Sequence, residues 1–338
     1  MVTVTMADVA REAGVSPALV SLAFRDAYGV SATTRTRILE TARRMGYQPN
    51  RAASRLASKS DDTLGVFLLD LHNEVFADMF DGMREAARTA GRELVLTVGS
   101  IGGSLDRPAL DSLVRARVSA VVAGGLLLPD AELAEYRGRL ALVSVARVVP
   151  GFDAVASDNV LGATLAVEHL VRLGHRRILH LATPPTDGYG GRREGYLRSM
   201  SDAGLEPWVL TCDYARQAAF DLVMPLLGPA APDREQPTAI FTHNDQTALG
   251  VLDAVHAHRL RVPEDISVVG YDNTSATKPP GVDLTTVDLH AADLGRRATE
   301  IAVVRSEDPM REPMVETFEP SLVVRASTAP PPKGHLIR

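Results

Sequence analysis

Two patterns of apolar and polar residues divide the chain. The first sixty residues carry only helical spacing, whereas from about residue 62 short apolar runs alternate with amphipathic stretches. In the first part Met6, Val9, Ala10 and Ala13 form a stripe between Thr5, a helix cap, and Gly14, a left-handed stop. Ser16 caps again, with Pro17 at the first helical position, where its missing N–H costs nothing. That helix turns Leu19, Val20, Ala23 and Phe24 inward and leaves Ala18, Ser21, Leu22 and Arg25 on the other side. Ser31 caps a third helix, 32–45, with Ile38, Leu39, Ala42 and Met45 inward and Gly46 as its stop. Asn50 can cap a short fourth helix, 51–58, in which only Ala53 and Leu56 share an apolar face, between Arg51 and Arg55. So small a face cannot stabilise an isolated helix, which needs a partner.

The second part predicts strands at 64–69, 94–98, 120–123 and 140–145, with helices at 79–90, 107–117 and 130–137 between them. A second series follows, with helices at 161–173, 192–203, 216–227 and 245–258 and strands at 177–182, 208–211, 239–241 and 267–271. Such alternation calls for parallel sheets covered on both faces, and two series in tandem suggest two lobes with a cleft. Ligands in such sheets sit beyond the carboxyl ends of strands, which singles out 70–76, 147, 183–192, 242–245 and 272–274. Residues 329–338, opening with Ala329 and three prolines, read as an unfolded tail.

Charge sharpens the division. Residues 1–60 hold nine Lys and Arg against four Asp and Glu, a net of +5, so the remainder carries −11 of the chain's total of −6. A basic head on an acidic body suits a protein that meets DNA by one end. Helix, Gly-containing turn and second helix within about twenty residues is the layout of a helix-turn-helix reader, in which Pro17, Ala18, Ser21, Leu22 and Arg25 face base edges. Arg35, Arg37, Arg43 and Arg44 suit phosphates. The Ala53–Leu56 wedge between arginines suits a minor-groove kink. The single cysteine, Cys212, rules out a disulfide framework and a thiolate metal site. Acidic and basic residues interrupt the N-terminus and no apolar run is long enough to span a bilayer, so a cytoplasmic protein without a membrane partner is expected.

The head resembles the DNA-binding domain and hinge helix of the lactose-repressor (LacI/GalR) family of bacterial regulators. The matching residues are Thr5, Asp8, Val9, Ala10, Ala13 to Ser16, Val20, Ser21, Val30, Ser31, Thr34, Arg35, Gly46, Tyr47, Pro49 to Ala53, Leu56 and Ala57. The rest resembles that family's effector core, like the periplasmic sugar-binding proteins, in the stretches VASDNVLG from Val155, HLVRLGHRRI from His169, THNDQTALG from Thr242 and VPEDISVVGYD from Val262. The implied organisation is an all-α helix-turn-helix domain (1–48), a hinge helix and linker (49–60), and a two-lobed α/β core (61–328). Its first lobe would hold about 61–157 plus 288–318 and its second about 158–287 plus 319–328; residues 329–338 would be a disordered tail.

The resemblance implies a transcriptional regulator, expected to be a repressor, that binds a palindromic double-stranded operator as a homodimer under the control of a sugar-like effector. DNA contact is implied for Thr5, Ser16, Pro17, Ala18, Ser21, Leu22, Arg25, Ser31, Thr34, Asn50, Ala53 and Leu56, with Leu56 levering open the central base step. Leu22 departs from the family's usual Arg or polar residue, so contact there is apolar. Effector contact is implied for Arg192, Asn244 and Asp272, a guanidinium, an amide and a carboxylate suited to a polyol. Asp70, His72, Asn73 and Phe76 would line the facing wall, with Arg147 beyond the strand at 140–145. Asp245 is expected to cap the helix after it.

Other chemistries find less support. No cofactor is expected, and no Ser-His-Asp, metal or paired-carboxylate motif points to an enzyme. His256 and His258 lie two apart on a helix and point different ways, while His169, His175 and His180 read as core or surface residues. The Gly-rich stretch 188–191 lacks the Lys-Ser/Thr ending of a P-loop. A purine effector is the alternative, disfavoured by a chain with one tryptophan, Trp208. A solute-binding protein would fit the core but not the basic head.

Overall fold

The computed structural model describes residues 4–24, 29–47, 63–183, 190–227 and 236–332. The chain divides into two units, Met1–Asp61 and Asp62–Arg338. In the first, three helices, α1 (Met6–Ala13), α2 (Pro17–Phe24) and α3 (Ala32–Arg44), close on Val9, Ala10, Ala13, Val20, Ala23, Ile38 and Ala42. Each starts where a side chain satisfies an orphan amide. Thr5 and Asp8 form a reciprocal capping box, with Asp8 N donating to Thr5 Oγ1 at 3.3 Å and Thr5 N to Asp8 Oδ2 at 3.0 Å. Leu19 N donates to Ser16 Oγ at 3.2 Å, and Thr34 N to Ser31 Oγ at 3.2 Å. Gly14 ends α1 at φ +64, and Gly46 follows α3 at φ +69. The stripe on α3 differs from expectation at one point: Thr41 is buried and Leu39 only half-buried, because 38, 41, 42 and 45 are the positions of one helical face.

The second unit is built from β1 (Thr63–Leu68), α4 (Glu74–Thr89), β2 (Glu93–Val98), α5 (Asp106–Ala116), β3 (Val121–Gly124), α6 (Asp130–Leu133), β4 (Leu142–Val145) and β5 (Asp153–Ser157). Then come α7 (Asn159–Arg172), β6 (Ile178–Ala182), α8 (Gly191–Asp202), β7 (Trp208–Thr211), α9 (Arg216–Leu227), β8 (Ala239–Thr242) and α10 (Asp245–Ala257). The last are β9 (Ser267–Tyr271), β10 (Thr285–Asp288), α11 (Ala291–Glu307), β11 (Val315–Phe318) and β12 (Ser321–Val323). One sheet runs β11-β5-β4-β3-β1-β2, parallel throughout; the other runs β12-β10-β9-β8-β6-β7, with only β12 antiparallel. The chain leaves the first sheet after Ser157, returns after Asp288 and leaves again after Phe318. Central strands such as β1 and β9 are buried along their whole length, as a sheet covered on both faces requires, while edge strand β2 keeps Leu96 and Val98 exposed.

Three helix pairs close over glycines. A Cβ on Gly82 of α4 would lie 1.8 Å from Ala292 O of α11, and one on Gly295 of α11 2.1 Å from Met79 O. Gly195 of α8 stands likewise 2.3 Å from Val160 O of α7, and Gly250 of α10 2.0 Å from Arg216 O of α9. Backbones at that range exclude any side chain.

Several expectations are corrected. Helix α4 begins at Glu74 rather than 79, because Asn73 Oδ1 accepts from Val75 N at 3.3 Å and caps it. The helix expected over 130–137 gives way to a 3-10 turn from Ala134 to Tyr136. Strands β5, β10, β11 and β12 and the long helix α11 are not announced by the apolar pattern. The tail is not wholly free: Ala329 N donates to Ser267 Oγ at 3.1 Å, and Ala329 O accepts from His175 Nε2 at 2.8 Å. Residues 333–338 lie outside the described residues, as do Arg25 and the proposed hinge helix with Asn50, Ala53 and Leu56. Among the described residues no helix is long and apolar enough to cross a membrane.

The second lobe buries neutral histidines. His180 is stacked between Tyr196 and Phe241, at 5.0 and 4.7 Å, and its Nδ1 meets Phe241 O at 3.0 Å. Burial pushes its pKa down to about 4. A folded pKa below the unfolded one means that stability is intact above about 6.5 and lost as pH falls from there towards 4. The loss assigned to His180 is about 3 kcal/mol. Urea unfolding of His180→Phe across that window is expected to show a shallower decline than the native chain.

Candidate functional site

The cleft lies where strand ends of both sheets meet. The first lobe lines it with Leu69 and Asp70 after β1, Asn73, Val75, Phe76 and Met79 from α4 and its cap, Ile101, Ala146 and Leu289. The second supplies Arg192, Tyr214, His243, Asn244, Gln246 and Asp272. In this conformation the cleft leaves about 60 Å³, less than the cavity of roughly 150 Å³ that holds a benzene ring, so a sugar-sized ligand requires the lobes to open further.

Its polar floor is built around Arg192, on the first turn of α8. Arg192 Nε donates to Asn159 Oδ1 at 2.9 Å, Nη1 donates to His243 O, and Nη2 lies 3.4 Å from Asp272 Oδ1. The guanidinium stacks on Tyr271, 3.6 Å above the ring centroid. That ring is seated against Gly162, where a Cβ would come within 2.2 Å of the tyrosine Oη. Burial pushes the Asp272 carboxyl well above the usual carboxylate range; Arg192 counters this and the nearby Asp245 adds to it. Asp272 also takes φ +112, and Ala146 on the facing wall takes φ +72, both directly after a strand. Strained non-glycine backbone of this kind is kept where the surroundings over-determine it, as at ligand clamps.

Six of the eight effector residues expected from sequence come together here: Asp70, Asn73, Phe76, Arg192, Asn244 and Asp272. Two do not. His72 is exposed, with its backbone N donating to Asp70 Oδ1 at 2.9 Å. Arg147 is buried away from the cleft, because its Nη1 donates to Leu126 O and Leu128 O at 3.1 and 2.8 Å and its Nη2 pairs with Asp130. Carbonyls left open by the loop after β3 claim that guanidinium. The cap of α10 is Asn244 rather than Asp245. Asn244 Oδ1 caps α10, accepting from Thr247 N at 2.8 Å, while Asp245 accepts from Thr274 N at 2.7 Å and Thr286 Oγ1 at 2.6 Å and so braces the loop that carries Asp272. Asn244 therefore offers the cleft its amide NH₂, a donor.

Sequence reasoning missed Leu69, Met79, Ile101, Ala146, Tyr214, Gln246 and Leu289, together with Asn159 and Tyr271, which hold Arg192; His243 lay within the stretch 242–245 but was given no role. The rule that ligands gather past strand ends would have reached Ile101 and Tyr214 had it been applied to β2 and β7.

In the head, Thr5, Ser16, Pro17, Ala18 and Ser31 are exposed, and Ser21, Leu22 and Thr34 half-buried. The hydroxyls of Ser16, Ser31 and Thr5 serve as caps. Arg44 meets Glu12 at 2.9 Å across an exposed pair of the kind that adds little to stability.

Residues 5–50 match the bacterial regulatory proteins of the lacI family, and residues 167–328 a periplasmic binding protein-like domain. The chain is 31% identical to the HTH-type transcriptional regulator GalS of Salmonella typhimurium over 96% of its length and 97% of that protein's. Among solved structures it is similar to the lac repressor dimer bound to operator and an anti-inducer (28% identity, TM-score 0.84, 97% of this chain and 100% of that one). It is also similar to a complex of the transcriptional regulator CelR with cellobiose (26% identity, TM-score 0.71, 96% and 99%).

Proposed function

The chain belongs to the lacI family of bacterial regulatory proteins and is a DNA-binding transcriptional regulator, not an enzyme; we propose that it represses from a palindromic operator as a homodimer whose affinity is set by a small polyol held in the cleft. The observation that carries the effector reading is the convergence of Arg192, Asp272 and Asn244 on one floor. A guanidinium donates, a carboxylate accepts and an amide NH₂ donates, which is the complement of adjacent hydroxyls. The cellobiose bound by a relative of this fold supports the ligand class. The test is operator binding of the full chain titrated with neutral sugars. A sugar that shifts operator affinity supports the reading, and a response confined to nucleosides defeats it.

Coupling runs through the closure of the lobes. Glu74 at the start of α4 reaches across to the second lobe, where its Oε2 accepts from Ser275 Oγ at 2.7 Å and Ala276 N at 2.8 Å. This bridge holds the lobes in the tight form, which a sugar must open, beside the residues that line the cleft. An effector that changes operator affinity a hundredfold must supply about 2.7 kcal/mol of differential binding between the two forms. Glu74→Ala is expected to tighten effector binding about fivefold, because the bridge favours a form too tight for a sugar and loss of a partly exposed charged hydrogen bond amounts to about 1 kcal/mol. Calorimetry showing unchanged affinity would remove Glu74 from the closure.

At the DNA end, the wedge role falls to Leu56. Leu56→Ala is expected to lower operator affinity at least tenfold and to leave sugar affinity unchanged, read by fluorescence anisotropy on labelled operator. Equal operator affinity in the two proteins would defeat the wedge.

A further inference from the structure

The loop that carries Asp272 is joined to the second of the three lobe crossings by a carboxylate. Asp288 ends β10 in the second lobe, and α11 of the first lobe starts three residues on, at Ala291. Asp288 Oδ2 accepts from Asn273 Nδ2 at 2.9 Å, while Oδ1 accepts from His290 N at 2.7 Å. One oxygen thus grips the residue after Asp272, and the other grips the backbone that enters the first lobe. The Asn273 amide is held in the orientation this needs. Its Oδ1 accepts from Arg325 Nη2, and Arg325 is itself fixed by Nη1 to Leu284 O at 2.6 Å and by its backbone N to Thr285 Oγ1 at 2.9 Å. A flipped amide would set its NH₂ against the guanidinium and its oxygen against the carboxylate.

This chain of bonds runs through left-handed backbone, with φ +112 at Asp272, +55 at Asn273 and +60 at His290. Such non-glycine conformations persist where their surroundings over-determine them, and a few residues at the ends of elements absorb the rotation between lobes. Beyond His290, α11 closes on α4 backbone to backbone at Gly82 and Gly295, and α4 carries Phe76 and Met79. We propose that Asn273 and Asp288 are positioning residues that tie the effector loop to this crossing, so that a shift of Asp272 turns α11 and α4 together. The inference rests on the reading above that an effector meets Asp272, whatever the chemistry of that effector. An element that the site and the lobe arrangement both bias is what coupling between them requires.

The test needs no effector: amide hydrogen exchange of the full chain, with urea unfolding alongside. Asn273→Gly removes the side chain and leaves the left-handed backbone open to the new residue. Asp288→Asn has one acceptor where two are needed, so it cannot hold both Asn273 and His290. In both variants exchange over 289–296 and over 74–80 is expected to be at least tenfold faster than in the native chain, with the urea midpoint kept, as local opening at the crossing implies. Faster exchange confined to 272–278, or no change, overturns the tie, because Asn273 then braces only its own loop. A uniform rise across both lobes with a lowered midpoint in both variants overturns it as well, since that is a general loss of stability. Failure of the sugar titration leaves this measurement untouched, and a negative exchange result leaves the polyol reading standing.

Discussion

Asp272→Asn is expected to abolish the effector response of operator binding while leaving the effector-free operator affinity unchanged. The substitution keeps the size of the side chain but removes its charge, and with it the charge-assisted bonds to ligand hydroxyls, worth about 1.5–3 kcal/mol, or roughly 10- to 100-fold in affinity. It also leaves the buried Arg192 without its carboxylate. That guanidinium retains Asn159 Oδ1, His243 O and the face of Tyr271, so the fold survives, but it is free to turn and the floor loses its fixed geometry. Removing one partner of a buried pair commonly costs about 3–5 kcal/mol. Here part of that cost is returned, because burial already disfavours the ionised Asp272. The measurement is operator anisotropy with and without the sugar selected by the screen, together with urea unfolding. An Asp272→Asn protein that still responds at the native ligand concentration would remove this carboxylate from the effector site.

The head was legible because each of its helices is announced locally. All three begin at a capping hydroxyl, α1 adds an acidic residue and α2 a proline in the first turn, and glycines follow α1 and α3; Thr5, Ser16, Ser31 and Gly14 act in the structure as their spacing implies. Strands β1, β6 and β9 were legible for a related reason, since a strand buried on both faces is a continuous apolar run between turn residues. What was not legible depends on partners far away in sequence. Helix α11 contributes its apolar face to a groove made by α4, more than two hundred residues earlier, and strand β11 is a half-exposed edge whose identity comes from its pairing with β5. Arg147 follows a strand, as Asp272 does, yet it is drawn into a loop by carbonyls that no local pattern reveals. Asn244 and Asp245 are adjacent and both able to cap. Only the positions of Thr274 and Thr286, brought up by β9 and β10, decide which one does. Apart from Phe76, the apolar wall of the cleft was hidden for the opposite reason, because its residues are indistinguishable in sequence from core.

Gly195→Val is expected to be the most damaging of these substitutions, because it acts on fold and site together. Gly195 lies on α8 where that helix crosses α7, and a side chain there would begin 2.3 Å from Val160 O and 2.9 Å from the Ala163 Cβ. Neither obstacle is the movable end of a flexible side chain, so the helices must part. Overpacking of this kind costs about 1–3 kcal/mol where the core can adjust, and more where backbone is in the way. A loss of more than about 3 kcal/mol is therefore expected. The same displacement reaches the cleft, because Arg192 sits one turn earlier on α8 and is tied by its Nε to Asn159 at the start of α7. Separating the two helices pulls the guanidinium from Asp272 and from the Tyr271 ring, so effector binding falls even in the fraction that remains folded. Gly204→Ala provides the contrast. Gly204 takes φ +64 just beyond α8, but a methyl group added there would meet nothing within 4 Å. That substitution is expected to cost only about 1 kcal/mol of left-handed strain and to leave sugar affinity as it is. Equal unfolding midpoints for Gly195→Val and Gly204→Ala would mean that α7 and α8 can slide apart freely, and Arg192 would then be held by the loop after β8 rather than by the crossing of the two helices.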